Sequence, residues 1–345
     1  MSQTYMELCA QYDALAVTKA FLDREIGSLS GWLGGVNPRQ VVFLGCGSSL
    51  SVSKSLADSA YMHLRLNARA LAAGDVLLHA KRYAGALRGA LLITISRSGS
   101  TSEIIRALEA LRDNGCPFKH LSISCMENSP LDKMSDRFID MPWTFDESVC
   151  QTRTVSCLYF TGLYLISHVA GDVSMRRSLV EIIDNGAAFL ERIEEQCKSV
   201  ALDRWDKVVT LGDAEIAGLC EEGALAFNEI CQIPSNFYHL LDARHGPMVL
   251  IAPQTLVIAA ISDAENALER DMLKDLKARG AAVIAISAAP VEMDGIFNIS
   301  WGGALNHAAL GLVFILICQL ISYYKSLQTG ANPDKPDGLA PWIIL

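Results

Sequence analysis

Ala90-Leu-Leu-Ile-Thr-Ile-Ser-Arg-Ser-Gly-Ser-Thr101 runs from an unbroken apolar segment into a turn of four hydroxyl residues, one arginine and one glycine. The amphipathic stretch Ser102-Glu-Ile-Ile-Arg-Ala-Leu-Glu-Ala-Leu-Arg112 follows, so the turn joins a strand to a helix. Free N–H groups at a helix start favour an anion, and serine and threonine hydroxyls add donors. Ser96–Thr101 therefore reads as a phosphate cradle. Ser and Thr are also ordinary helix caps, so an N-capped strand–helix turn is the competing reading.

Outward from this turn, strands alternate with helices. Gln40–Leu44 is a short apolar strand ending in Gly45-Cys-Gly-Ser-Ser49, with a helix from about Ser51; Phe118–Ser124 and Arg137–Met141 are further strands. Helical crossovers between strands predict a parallel sheet covered on both faces. The pattern then repeats. Gly45 and Gly212, Ser96 and Ser262, and Gly115 and Gly280 lie 167, 166 and 165 residues apart, which points to an internal duplication. A helical stretch over about 154–200 joins the halves. The expected organisation is an N-terminal helical segment over 1–35, a phosphate-binding domain over 36–170, a helical linker over 171–200, a catalytic domain over 201–330 and a tail over 331–345 lying on the active site. The halves differ chemically. Ser262-Asp-Ala-Glu-Asn-Ala267 stands where the first half has Ser96–Thr101, and its acidic residues would repel a phosphate. One phosphate site per chain is expected.

The chain has 345 residues, 51% of them hydrophobic, and a formal net charge of −9, with no Lys/Arg block; nucleic acid is not an expected partner. Ten scattered cysteines without a C-x-x-C pair read as buried thiols in a reducing, cytoplasmic setting. No metal spacing and no cofactor motif is present. The N-terminus is too polar for a signal peptide. The apolar run Ala308–Ser322 is short of the about 20 residues needed to span a membrane and contains Gln319, so a buried helix is expected and no membrane partner.

The second half carries Glu222-Gly-Ala-Leu-Ala-Phe-Asn-Glu229 and Asp242-Ala-Arg-His-Gly-Pro247. Glu222 and Glu229 are two helical turns apart and can share a face. An apolar environment would raise a carboxylate pKa toward acid–base work, whereas a solvated stripe would not. His245 precedes a Gly-Pro turn, where a histidine commonly serves local hydrogen bonding.

Gly45-Cys-Gly-Ser-Ser49, Ser96–Thr101, Asp146-Glu-Ser-Val-Cys-Gln-Thr-Arg153, the Glu222–Glu229 helix, Arg244-His-Gly-Pro247 and Asn332-Pro-Asp-Lys-Pro336 occur in order. Together they resemble double sugar-isomerase (SIS) domain proteins, among them the isomerase half of glucosamine-6-phosphate synthase, over about Val41 to the C-terminus. The resemblance implies two flavodoxin-like α/β/α domains, a phosphosugar substrate and a homodimer. It implies phosphate binding by Ser49, Ser96, Arg97, Ser98 and Thr101, and sugar contacts by Gly47, Ser48, Val149, Gln151 and Glu222. Glu229 matches the carboxylate that moves a proton between C1 and C2, and His245 the ring-opening histidine that reaches into the neighbouring subunit.

The departures are specific. No glutaminase segment and no Cys at position 2 are present, so ammonia from glutamine is not expected. Ala226 replaces a lysine three residues before Glu229, and Pro341 falls where similar synthases keep a Schiff-base lysine. The expected activity is an aldose–ketose isomerase or amino-sugar-phosphate isomerase/deaminase on a 6-phosphorylated hexose. A fructosamine-6-phosphate deglycase and a non-catalytic phosphosugar sensor are the alternatives.

Overall fold

The computed structural model describes residues 2–263 and 265–340; Pro341 lies outside them. The chain forms two compact units. The first is built on Ala10–Glu147 and Arg153–Arg176. The second comprises residues 2–9, Ser148–Thr152 and Arg177–Leu339. Compactness thus departs from the linear reading. Helix Gln11–Val36 belongs to the first unit and helix Gln3–Cys9 to the second, as does most of helix Val173–Leu202. The helical stretch expected over 154–200 is two helices, Arg153–Val169 and Val173–Leu202, broken at Gly171, whose φ of 68° suits glycine.

The first unit holds β1 (Val41–Gly45), β2 (Ala68–Ala72), β3 (Ala90–Ser96), β4 (Phe118–Ser124) and β5 (Arg137–Asp140), all parallel in the order β2-β1-β3-β4-β5. Both faces are covered, so β1 and β3 are buried at every position. Val42, Leu44 and Leu92 pack beneath helix Ser102–Asp113, which presents Ile104, Ala107, Leu108 and Leu111 at helical spacing. Val41, Phe43, Leu91 and Ile93 face the other way, toward Leu33, Leu64 and Leu165.

The second unit repeats this plan with β6 (Lys207–Leu211), β7 (Ser235–Tyr238), β8 (Thr255–Ile261), β9 (Ala282–Ser287) and β10 (Phe297–Ser300). Its sheet is parallel in the order β7-β6-β8-β9-β10, the same order strand for strand. Helix Ala267–Ala278 covers one face through Met272, Leu273 and Leu276. The apolar run forms helix His307–Thr329, begun by Asn306 accepting from Ala308 N–H at 3.0 Å and ended at Gly330 in the left-handed region. It is long and apolar enough to cross a membrane, but 89% of its most apolar window is buried inside the fold, as a core helix. Eight of the ten cysteines are buried free thiols.

The turn after β8 is closed from within. The Glu269 carboxylate, 6% exposed, accepts from Ser262 Oγ at 2.6 Å, Ser262 N–H at 3.2 Å and Asp263 N–H at 3.1 Å. Asn266 caps the following helix through Leu268 N–H. Replacing Glu269 by Ala strands these donors and should cost about 1–3 kcal/mol in urea unfolding. The matching change at half-buried Glu103 of the first unit should cost under about 0.5 kcal/mol.

In the first unit, His120 on β4 is fully buried, its Nε2 2.9 Å from Thr94 Oγ1. Burial pushes its pKa down to about 4, against a partial rise from the Met134 carbonyl. The folded state therefore resists a proton that the unfolded chain takes up below about pH 6.5. Relative to a His120→Asn variant, the wild type should lose about 3 kcal/mol as pH falls from about 6.5 to 4. The difference between the two proteins cancels the opposing contribution of Asp140, which burial and Asp132 raise to about 7.

Candidate functional site

In a parallel sheet of this order the chain leaves β1 toward one edge and β3 toward the other. The loops beyond the carboxyl ends of these neighbouring strands diverge and leave a crevice, the usual ligand position in open α/β sheets. In the first unit those loops are Cys46-Gly-Ser-Ser49 and Arg97–Thr101. The phosphate residues expected from the sequence are thus gathered from two adjacent strands, paired from Val41↔Leu91 to Leu44↔Thr94.

Local sequence shapes both loops. A Cβ on Gly45 would stand 2.5 Å from the Ser49 carbonyl oxygen, so the strand and the following helix can approach only through glycine. Gly47 is the N-cap of helix Ser48–Leu64 and is exposed, with φ 53° and no capping side chain; Ser48 and Ser49, buried, form the first turn. Gly99 has φ 58°, and a Cβ there would meet Ser129 Cβ at 2.4 Å. Ser96 Oγ holds the turn together, 3.0 Å from Thr101 Oγ1 and accepting Gly99 N–H at 3.1 Å. Ser98 Oγ accepts Ser100 N–H.

Thr101 is the N-cap of helix Ser102–Asp113; its carbonyl accepts Ile105 N–H at 3.1 Å, but its side chain caps no helix N–H, so the turn is not closed by a side-chain cap. Among the described residues, no carboxylate accepts from Ser96, Ser98, Ser100 or Thr101. The corresponding turn of the second unit is filled by Glu269. Arg97 is 6% exposed, its guanidinium 5.6 Å from the centre of the Phe145 ring, so it does not point to solvent. Burial, reinforced by Glu103, pushes the Cys46 thiol up to about 11, which leaves it protonated at neutral pH.

The second unit gathers another set. Glu222 and Glu229 lie on helix Ala217–Ile230, Glu222 buried and Glu229 half-buried near its end. Ser148–Thr152 packs in this unit. Cys150 is buried against Ala226 and Ile230, which bracket Glu229 in sequence, so Val149 and Gln151 lie on a segment seated on the Glu222–Glu229 helix. Position 226, where the synthases keep a lysine, is a packing position here. Gln319, from the core of helix His307–Thr329, reaches toward the Gln151 and Thr152 carbonyls at 3.5 and 3.4 Å.

His245 is placed differently. It is exposed on the loop between the short helical turns Asp242–Arg244 and Pro247–Leu250, beside exposed Val249 and Leu250, and makes no hydrogen bond or ion pair with Glu222 or Glu229 within one chain. Arg244 is held by Asp275 at 2.6 Å.

The sequence reading missed the residues that hold the 148–152 segment. Glu7 accepts from Ser148 N–H at 3.3 Å and from Ser148 Oγ, and the Asp334 carbonyl accepts Val149 N–H at 3.1 Å. Gln319 alone gave a signal, as a polar residue in an apolar helix. Asp334 stood in a recognised tail motif with no role attached.

A model of the SIS domain matches residues 36–161 and 201–291, most of each sheet unit. A D-galactosamine-6-phosphate deaminase of Shewanella sp. (strain ANA-3) is 26% identical over 313 residues, covering 86% of this chain and 77% of that protein. A glutamine–fructose-6-phosphate aminotransferase of Sulfolobus acidocaldarius is 27% identical over 261 residues, 74% of this chain but 42% of that longer protein. Among solved structures, a glucosamine-6-phosphate deaminase from Thermotoga maritima superposes with a TM-score of 0.82 over 100% of both chains at 24% identity. A tagatose-6-phosphate ketose/aldose isomerase from Escherichia coli gives 0.86 over 99% of this chain and 96% of that one at 21% identity. Two sheets of one strand order, glycine-shaped loops at the β1–β3 crevice and a family match spanning both units lead to one assignment: the chain belongs to the SIS domain family.

Proposed function

We propose that the protein is a phosphosugar enzyme that isomerises and deaminates a 6-phosphorylated 2-amino-2-deoxyhexose. The observation that carries this is the crevice beside β1 and β3. There, the hydroxyl or guanidinium residues Ser49, Ser96, Arg97, Ser98 and Thr101 sit on two glycine-shaped turns, and among the described residues no carboxylate accepts from Ser96, Ser98 or Thr101. The deaminase relative, similar over most of both chains, supports the same substrate class.

In this mechanism the phosphate is held by those residues, and its binding energy orients carbons remote from it. Gly47, Ser48, Val149, Gln151 and Glu222 contact the sugar. His245, contributed by a second copy of the chain, opens the ring to the free aldehyde; its exposure among Val249 and Leu250 suits a contact outside its own subunit. Glu229 takes the proton from C2, giving an enolamine, and returns it to C1. The resulting C2 iminium adds water and expels ammonia, leaving a ketose 6-phosphate. No step uses the lysine replaced at position 341.

Glu229→Gln should lower kcat on hexosamine 6-phosphates by about 10²–10⁴ while substrate binding stays within a few-fold. Substantial remaining turnover would rule out Glu229 as the base. Arg97→Met should weaken competitive inhibition by inorganic phosphate about 10–100-fold, as expected for loss of a charge-assisted hydrogen bond. An unchanged inhibition constant would take Arg97 out of the phosphate site. Product mass from a panel of 6-phosphorylated hexosamines and fructose-amino-acid phosphates decides the reaction. Ammonia and a ketose phosphate are expected; a released amino acid would make the protein a deglycase, and binding without turnover a sensor.

A further inference from the structure

Glu7 is 1% exposed in a helix at the far end of the chain from the tail it meets. A buried carboxylate is costly unless its oxygens are fully used. Its Oε1 accepts from Gln3 Nε2 at 2.9 Å and from Ser148 N–H at 3.3 Å, and its Oε2 accepts from Ser148 Oγ. Ser148, itself 2% exposed, is thereby fixed in both backbone and side chain. The next residue is Val149, whose N–H goes to the Asp334 carbonyl. The Asp334 carboxylate in turn accepts from Gln3 N–H, Thr4 N–H and Thr4 Oγ1 at 3.0, 2.8 and 2.7 Å. Burial alone would raise the Asp334 pKa, but these Thr4 and Gln3 donors hold it below the usual carboxylate range. The first helix, the tail and the 148–152 segment therefore share one polar network, all within the second unit. On the segment's other side, Cys150 seats it on the Glu222–Glu229 helix.

We propose that Glu7 is a positioning residue for the sugar-contacting segment Ser148–Gln151, acting through Ser148, so that it governs substrate affinity rather than the proton transfer. A purely packing role would be served by an apolar side chain. A carboxylate accepting both donors of one serine instead sets the direction of the chain at Val149. The inference rests on the phosphosugar reading for its link to substrate, and on the hydrogen bonds alone for the placement of the segment.

The test compares Glu7→Gln, Glu7→Asp, Ser148→Ala and the Glu7→Gln/Ser148→Ala double variant. In Glu7→Gln, KM for the hexosamine 6-phosphate should rise about tenfold or more with kcat within about threefold, the signature of lost ground-state binding. Inhibition by inorganic phosphate should stay within about twofold. Glu7→Asp should recover part of the loss, and the double variant should be no worse than the worse single variant, because both act in one network. Hydrogen exchange, read without substrate, should be about tenfold faster in Glu7→Gln for the peptide containing Ser148 and Val149, with β6 and β8 peptides unchanged. An unchanged KM, additive losses, or a KM and phosphate inhibition that rise together would overturn the proposal. Unchanged exchange at Ser148–Val149 would overturn it whatever the activity. Faster exchange in a protein whose wild type turns over no phosphosugar would leave the positioning intact and remove the phosphosugar reading alone.

Discussion

The structure depends on how each sheet disposes of the polar groups in the loop at its point of strand-order reversal. Parallel strands feed helices whose first N–H groups lack intrahelical partners, and the reversal leaves a crevice beside them. An anion satisfies both the donors and the positive end of the helix. In the second unit the protein supplies that anion itself, as Glu269 closing on Ser262 and Asp263. In the first unit Ser96 and Thr101 hold each other, and among the described residues no carboxylate accepts from either. The two loops occupy equivalent places after β3 and β8, and the difference between them lies in the partner of the opening serine, Thr101 for Ser96 and Glu269 for Ser262. It makes one unit a candidate ligand site and the other a closed frame.

With its own turn closed, the second unit offers other chemistry. Its first helix after β6 carries Glu222 and Glu229, and a segment from between β5 and the next helix is seated on it through Cys150. This segment is held by Glu7 from one end of the chain and Asp334 from the other. A duplication has thus diverged, with the proposed anion site on one copy and the Glu222–Glu229 helix on the other.

Much of this was legible in the sequence because the central strands are apolar at successive positions, a pattern that only a doubly covered sheet requires. Val41–Gly45, Ala90–Ser96, Lys207–Leu211 and Thr255–Ile261 are of this kind. Of the edge strands, β5 was read from the sequence as Arg137–Met141, whereas β2 and β7 were not legible. Ala68–Ala72 is alanine-rich and half-buried throughout, and in Ser235–Tyr238 only Ser235 is buried; each pairs on one side only, so neither needs a continuous apolar run. The asymmetry between Ser96–Thr101 and Ser262–Ala267 was readable as a change of charge. That Glu269, rather than Asp263 or Glu265, fills the second turn was not, because it depends on which side chain folds back. The Glu7–Ser148 and Thr4–Asp334 contacts join residues 141 and 330 positions apart, and no local pattern announces such pairs. Site roles for Val149, Gln151 and His245 came from family resemblance, and the structure adds a physical setting for the first two.

We propose one phosphate-holding crevice per chain, in the first unit. Isothermal titration calorimetry with a hexosamine 6-phosphate, on wild type and on the Ser96→Ala/Arg97→Met variant, tests this most directly. One site per chain in the wild type, lost in the variant with the fold intact, is the predicted result. Two sites per chain, or binding that survives in the variant, would contradict it.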